Sequence, residues 1–177
     1  MNLVPLTELP QVRALGRHAG EGPLTLFYTA AGIECLFTGS ELWLSLNADY
    51  SLYEPWISVE LNGVWISRFP LNRGRSEVCL FRGMTLGTPK HIRVLKEVQA
   101  MHDDPKHLLQ VTGLGYTGGA FLPLPPPRCR LEFVGDSITS GEGAIGARQE
   151  QDWATFVIFI ADFSSSVKAD FRKLSLL

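Results

Sequence analysis

The chain lacks three features that would assign it to a class at once. Lysine and arginine nearly balance aspartate and glutamate, with a formal net charge of −2, so neither nucleic acid nor an anionic membrane is an expected partner. The most apolar run, residues 153–163, is about half of the ~20 residues that a transmembrane helix needs. The N-terminus shows no charged start followed by an unbroken apolar core, and therefore predicts a cytoplasmic protein without a secretory signal.

Cysteine is also scarce. The three cysteines, Cys35, Cys79 and Cys129, are odd in number and have no CxxC spacing. This pattern supports neither a disulfide framework nor a zinc site. Each cysteine lies in or beside an apolar, strand-like segment, so we expect buried, reduced thiols and no bound metal.

Short apolar segments separated by turn residues dominate the first two thirds of the chain. With little helical periodicity between them, they predict a β-sandwich, since two half-apolar sheets bury their inner faces only against each other. HIRVLKEVQA is ambiguous between strand and helix, and we interpret it as a strand. The predicted strands are LTLFYT, IECLFTG, ELWLSLN, PWISVEL, VWISRF, SEVCLF, HIRVLKEVQA and HLLQVTGLGY.

The clearest local signal is Asn62-Gly63 between ISVEL and VWISRF. Both residues readily adopt the positive φ angles of a two-residue type I′ hairpin. One face of this hairpin is expected in the core and the other in water. The predicted register pairs Leu61 with Val64 and Val59 with Ile66 on the core side, and points Ser58 and Glu60 to solvent.

A proline-rich run, LPLPPP at residues 122–127, predicts a domain boundary. Its prolines donate no ladder hydrogen bonds and favour a stiff extended form. We therefore predict a β-sandwich domain over residues 1–121, a linker over 122–127 and the beginning of a different domain over 128–177. That last segment opens with a strand, RLEFV, which leads directly into Gly135-Asp136-Ser137.

A serine at such a turn suggests nucleophilic catalysis. A serine nucleophile needs an exposed Oγ, a base that takes its proton and donors for the oxyanion. A strand-to-helix turn exposes the hydroxyl, and the backbone N–H of Ser137 would face the developing charge. Gly135 permits close approach of the backbone, and Asp136 is of the right type to hold the turn by accepting nearby N–H groups.

The stretch FVGDSIT, residues 133–139, resembles the first motif block of the SGNH/GDSL hydrolases, in which the serine is the nucleophile. Together with YEPWISVELNGVWISRFPL, KEVQAM and Asp152-Trp153, it makes roughly residues 10–153 similar to carbohydrate esterase family 2. The resemblance implies a mainly β chain, a jelly-roll β-sandwich followed by the first strand and nucleophile turn of an incomplete α/β SGNH domain.

The same resemblance implies an activity and a partner. Members hydrolyse O-acetyl esters on sugars, such as acetylated xylan or xylo-oligosaccharides, through an acyl-serine intermediate that needs no cofactor and no metal. By position, Ser137 would be the nucleophile and its N–H one oxyanion donor, with Asp136 and Gly135 supporting the turn. The resemblance predicts no oligomeric state.

The histidines depart from the family pattern, in which the base lies near the C-terminus. No histidine follows Ser137, and base assistance typically contributes about 10²–10⁴-fold to rate. We therefore expect a C-terminally truncated family member that is nearly inactive alone. His102 and His107 flank a polar turn and are expected to be solvated. The histidines that precede Ser137 are His18, His91, His102 and His107.

An alternative is a non-catalytic module whose sandwich binds sugar or a partner protein. The segment Asn47 to Pro55 is loop-like and is the first candidate for such a surface. Aromatic side chains at strand spacing usually fill sandwiches, so most of them are expected in the core or in packing between domains. A solvated strand face is expected for Arg68, Arg73, Arg75 and Arg82. The aromatic residues that could form a sugar-stacking surface are Trp43, Trp56, Trp65, Tyr50 and Tyr53.

Overall fold

The structure of the protein is a computed structural model that describes residues 1–18, 22–127 and Gly135. It divides into two units, Met1–Arg128 and Cys129–Leu177. Almost all described residues belong to the first unit. The predicted strand RLEFV, Asp136 and Ser137 lie outside the described residues.

The first unit is built from eleven β-strands and one short 3₁₀ turn, Leu6–Glu8. Within the described part of the chain, no helix is long and apolar enough to cross a membrane. In chain order the strands are β1 Asn2–Pro5, β2 Arg13–Leu15, β3 Leu24–Thr25, β4 Gly32–Phe37, β5 Leu42–Asp49, β6 Trp56–Leu61, β7 Val64–Pro70, β8 Gly74–Phe81, β9 Lys90–Lys96, β10 Leu108–Tyr116 and β11 Phe121–Leu122.

The strands form two antiparallel sheets in a jelly-roll β-sandwich. The first sheet has the order β1-β10-β5-β8, with β3 also paired to β10. The second has the order β11-β4-β9-β6-β7, with β2 paired to β4. Neighbours in each sheet are mostly distant in sequence, as expected for a sandwich whose connections cross between sheets. The predicted β-sandwich is confirmed.

Alternation along the central strands creates the core. In β5, Leu42, Leu44 and Leu46 are buried, whereas the side chains between them are only partly covered. Cys35 of β4 points into the same core, where burial, with a smaller contribution from the charge of Glu34, raises its pKa to about 12. Its thiol is therefore protonated, and the predicted buried, reduced thiol is confirmed for Cys35. Cys129 lies outside the described residues. Cys79 is a half-buried free thiol.

All eight predicted strands are present, including the ambiguous β9. LTLFYT, however, ends as a strand at Thr25. Phe27 and Tyr28 leave the sheet in a loop, and this matters for the surface described below. Sequence patterns missed β1, β2 and β11, which have only two to four residues each. Such short segments show too little alternation to be recognised.

The Asn62-Gly63 hairpin is confirmed in its turn, because φ is 52° at Asn62 and 83° at Gly63. Its predicted register is only partly correct. Leu61 pairs with Val64, but a bulge between Val59 and Glu60 makes Val59 pair with Ser67. The bulge places Ile66 outside the predicted pairing, where it is exposed.

The two ends of the sandwich carry different loops, and β9 runs from one end to the other. We call one the Lys90 end and the other the Lys96 end, after the first and last residues of β9. The Lys90 end comprises loops 38–41, 62–63, 82–89 and 117–120. The Lys96 end comprises loops 26–31, 50–55, 71–73 and 97–107.

Candidate functional site

The predicted nucleophile turn lies almost entirely outside the described residues. Ser137 and Asp136 are not described, and Gly135 is exposed. Their roles therefore stay predictions. The described groups that carry chemistry are the histidines, the buried charges and the aromatic side chains of the sandwich.

The histidines of the sandwich occupy four separate places. His18 and His102 are exposed. His91 lies on the outer face of the second sheet, with its Nε2 2.7 Å from Glu34 Oε1. His107 begins the approach to β10. Sequence analysis expected His107 to be a solvated loop side chain, and that prediction is wrong.

His107 is largely buried at the Lys96 end. Its Nδ1 lies 3.2 Å from the carbonyl oxygen of Tyr53. Because a carbonyl only accepts, Nδ1 carries the proton and Nε2 is left as a buried acceptor, without a partner among the described residues. Burial, followed by the nearby charge of Lys96, lowers the pKa of His107 to about 4. The imidazole is therefore neutral at pH 7.

Asp104 holds the polar turn between His102 and His107 against the sandwich. Its buried carboxylate accepts the backbone N–H groups of Ser51, Leu52 and Tyr53 at 2.8–3.0 Å. Burial acts to raise its pKa, but these donors and the N–H of Lys106 lower it below the usual value overall. The ionised carboxylate thus fastens loop 50–55 to loop 97–107. The loop predicted over Asn47 to Pro55 is therefore correct only from residue 50 onward, because strand β5 continues to Asp49.

Lys96 ties a third loop to the same end. Its ammonium is buried and donates to the carbonyl oxygens of Leu26 at 2.9 Å and Phe27 at 3.3 Å. No described carboxylate pairs with it. Burial lowers the pKa of Lys96 to about 7. The amine is therefore held by backbone oxygens alone, between loop 26–31 and His107.

The outer face of the second sheet is a ladder of paired charges. Arg13 pairs with Glu34 at 2.9 Å, and Arg93 pairs with Glu60 at the same distance. Backbone pairing places Glu34 opposite Arg93, and Arg93 opposite Glu60. Charges of opposite sign therefore alternate across four neighbouring strands, β2, β4, β9 and β6.

Two predictions about this face are wrong. Ser58 and Glu60 were expected in water but are buried. Arg68, expected on a wet face, stacks over Trp56 at 4.2 Å and donates from Nε to the fully buried Glu97 at 2.5 Å. Burial raises the pKa of Glu97, although Arg68 opposes that shift. Alternation shows which side of a strand a residue takes, but not whether that side is covered.

The predicted sugar-stacking aromatics are all partly buried. This holds for Trp43, Tyr50, Tyr53, Trp56 and Trp65. Tyr50 is covered by the guanidinium of Arg73 at 4.7 Å, and the hydroxyl of Tyr53 donates to Asp103 at 3.0 Å. None of the five belongs to the hydrophobic core or to the partly buried side chains that pack against it. The expectation that most of them fill the core is therefore wrong, and packing between domains stays a prediction.

Metal ligation has no support in the described part of the chain, where no three His, Cys, Asp or Glu side chains come together as a metal site would require. The buried charged groups pair with one another or with backbone atoms, as shown for Glu60, Lys90, Lys96, Glu97 and Asp104. Loops 26–31, 50–55 and 97–107 are instead joined by buried polar groups, which gives the Lys96 end a fixed shape.

Comparison with solved structures adds relatives that share this fold. An acetyl xylan esterase from the rumen bacterium Butyrivibrio proteoclasticus is 41% identical, with a TM-score of 0.81 over 86% of this chain and 41% of its own. The resemblance to carbohydrate esterase family 2 is confirmed. A family two carbohydrate esterase from Clostridium thermocellum, solved with cellohexaose, has 23% identity and a TM-score of 0.73 over 85% of this chain and 45% of its own.

Among curated proteins, the cellulase/esterase CelE of Acetivibrio thermocellus is 28% identical over 127 residues, which is 71% of this chain and 15% of CelE. No family model matches the chain. The chain spans less than half the length of the two solved relatives described above.

Proposed function

We propose that this chain is part of a carbohydrate O-acetyl esterase and that Ser137 is its nucleophile. The observation that carries the proposal is the 41% identity to an acetyl xylan esterase over 86% of the chain. That coverage is larger than the share of the chain that the sandwich takes, since the last strand of the sandwich ends at Leu122. The match therefore supports more of the chain than the sandwich alone.

The chemistry is acyl transfer from a sugar hydroxyl to Ser137. Its Oγ attacks the acetyl carbonyl, its own backbone N–H stabilises the oxyanion, and the sugar hydroxyl leaves. Water then releases acetate from the acyl-serine. Asp136 holds the turn, and Gly135 allows the backbone to approach the ester.

We further propose that this 177-residue polypeptide has little activity alone, because a base is missing. Two of the histidines that precede Ser137 have other roles in the sandwich. His91 contacts Glu34, and His107 is held by the Tyr53 carbonyl. Without a base, the serine hydroxyl is a weak nucleophile near neutral pH.

Imidazole added to the buffer tests this function. It can take the proton that an absent histidine would take, so the rate on a chromogenic acetate ester should rise in the wild-type chain. Ser137→Ala measures the direct reaction of imidazole with the ester, and the difference between the two proteins is the serine-dependent rate. Equal rates in both proteins at every imidazole concentration would contradict the role of Ser137.

A non-catalytic sugar-binding role is the second candidate, and one observation favours it. Two exposed aromatic rings, Phe27 and Tyr28, lie together at the Lys96 end. A binding role and an esterase role are compatible, because an esterase that acts on a polymer also has to hold that polymer.

A further inference from the structure

Phe27 and Tyr28 stand apart from the other aromatic side chains. They are 46% and 55% exposed, and every other described Phe, Tyr or Trp side chain is less exposed. Their ring centroids are 6.4 Å apart, and the ring planes are tilted by 55°. Single exposed apolar residues are normal on a protein surface, but adjacent exposed rings indicate a place of contact.

The loop that carries the two rings is firmly anchored. On one side, Leu26 is buried and its N–H donates to Leu109 at 2.8 Å. On the other side, the N–H of Ala30 donates to the Lys96 carbonyl at 2.8 Å. The Lys96 ammonium also donates to the carbonyl groups of Leu26 and Phe27. The rings are therefore presented by a rigid loop, which lowers the entropic cost of binding.

Backbone strain marks the same loop. The N–H of Ala31 donates to the Tyr28 carbonyl at 3.1 Å and closes a tight turn. Within this turn Ala30 has a φ of 65°, a left-handed conformation that is unfavourable for a non-glycine residue. Such strain persists only where surrounding contacts enforce it, and it is often found at binding sites.

Polar groups lie next to the rings. The hydroxyl of Thr29 donates to the side-chain oxygen of Gln99 at 3.0 Å. An aromatic face beside a hydroxyl and an amide matches a pyranose sugar, which has an apolar C–H face and a rim of hydroxyl groups. A protein partner fits less well, because two rings offer at most about 150–250 Å² each, far below the roughly 1,200 Å² of a specific interface.

We propose that Phe27 and Tyr28 form a stacking surface for a neutral xylan-type oligosaccharide. The inference rests on the proposed function and deepens it, since it gives the chain a contact with the polymer that bears the acetyl groups. The bound sugar residues need carry no acetyl group themselves. Sequence patterns missed this surface because LTLFYT resembles a continuous strand, in which alternation would place Tyr28 inside the sandwich with Leu24 and Leu26.

Calorimetric titration of the full chain tests the proposal with two unacetylated ligands, xylohexaose and cellohexaose. We expect xylohexaose to bind the wild-type chain, and Tyr28→Ala to weaken that binding about tenfold or more, which corresponds to about 1.4 kcal/mol. Phe27→Ala should act in the same direction. Tyr28→Trp keeps a flat ring and should retain binding. Leu86→Ala is the matched control, because Leu86 is 63% exposed at the Lys90 end.

The outcomes separate this inference from the proposed function. Ser137→Ala should bind xylohexaose as the wild-type chain does, since stacking needs no nucleophile. The proposal is overturned if the wild-type chain binds neither sugar, if cellohexaose alone is bound, or if Tyr28→Ala and Phe27→Ala bind xylohexaose unchanged. Loss of binding in Leu86→Ala would also overturn it. Binding of xylohexaose without any serine-dependent hydrolysis in the presence of imidazole would contradict the esterase role and leave the sugar surface in place.

Discussion

The two ends of strand β9 solve the same physical problem in different ways. Each end buries a lysine whose ammonium is held by backbone carbonyl groups. Lys90 donates to three of them, those of Gly39, Thr85 and Thr88, at 2.6–2.8 Å. Lys96 donates to only two, and the longer of those bonds is 3.3 Å.

The two lysines differ in how completely their ammonium groups are hydrogen-bonded, and this difference suggests different roles for the two ends. Burial lowers the pKa of both amines, and at Lys96 it lowers the pKa to about 7. Lys90 is the better satisfied cation and closes its loops tightly. Lys96 lies among polar groups that are less completely paired, close to His107 and beneath the exposed rings. We infer that the Lys90 end contributes mainly stability and the Lys96 end mainly recognition.

The largest expected effect is at the Lys90 end. Lys90→Met should lower the free energy of unfolding by about 3 kcal/mol or more, because three carbonyl groups lose a buried donor and each costs about 1–3 kcal/mol. Urea denaturation measures this value. Lys96→Met is the matched variant and should cost less at pH 7. If Lys90→Met lowered the free energy of unfolding less than Lys96→Met does, Lys90 would not be the more stabilising of the two lysines.

The next largest effect is expected when the contact between the loops of the Lys96 end is weakened. Asp104→Asn should lower the free energy of unfolding by about 2 kcal/mol, because a neutral amide replaces the carboxylate that accepts three backbone N–H groups. Hydrogen exchange at Ser51 to Tyr53 should rise at the same time. Asp103→Asn is the control, since Asp103 is exposed. Unchanged exchange in Asp104→Asn would show that the loop is held by other contacts.

Lys96 should make stability depend on pH in the alkaline range. Its pKa falls from 10.5 to about 7 on folding, so between these values the unfolded chain binds a proton that the folded chain does not. Stability should therefore rise as the pH increases from 7 to 10.5. Thermal melting of the wild-type chain and Lys96→Met checks this. If the melting temperature rose equally with pH in both proteins, groups other than Lys96 would be responsible.

A smaller pH effect is expected from His107. Its pKa falls from 6.5 to about 4 on folding, so stability should be lost as the pH falls from 6.5 to 4. The charge of Lys96 strengthens this effect, whereas the Tyr53 carbonyl and Asp104 oppose it. His107→Gln should flatten the dependence in that range. His102→Gln, at an exposed site, should leave the dependence as it is in the wild-type chain.

Much of the sandwich could be predicted because its signals are local. Alternating apolar residues and the Asn62-Gly63 turn depend on a few neighbouring residues, so all eight predicted strands were recovered. The bulge at Val59 could not be predicted, because it depends on pairing between strands. Strands β1, β2 and β11 were missed since their stability comes from longer partners.

Less of the candidate site could be predicted from the sequence, because the burial of a side chain depends on the assembled fold. Glu60 has the alternation of a solvated residue but is covered in the sandwich. His107 lies in a polar segment, yet Asp104 draws that segment inward. Ser137, in contrast, was found through a motif, and that prediction is still to be tested by experiment.

The most direct test of the esterase assignment is to trap the acyl-enzyme. An activated acetate ester has a good leaving group and can acylate Ser137 without a strong base, whereas release of acetate should be slow if, as proposed, the chain lacks a base. After acid quenching, mass spectrometry of the digested wild-type chain should find an acetyl group on the peptide that contains Ser137, and none on that peptide in Ser137→Ala. Acetylation confined to lysines would contradict the assignment of Ser137 as the nucleophile.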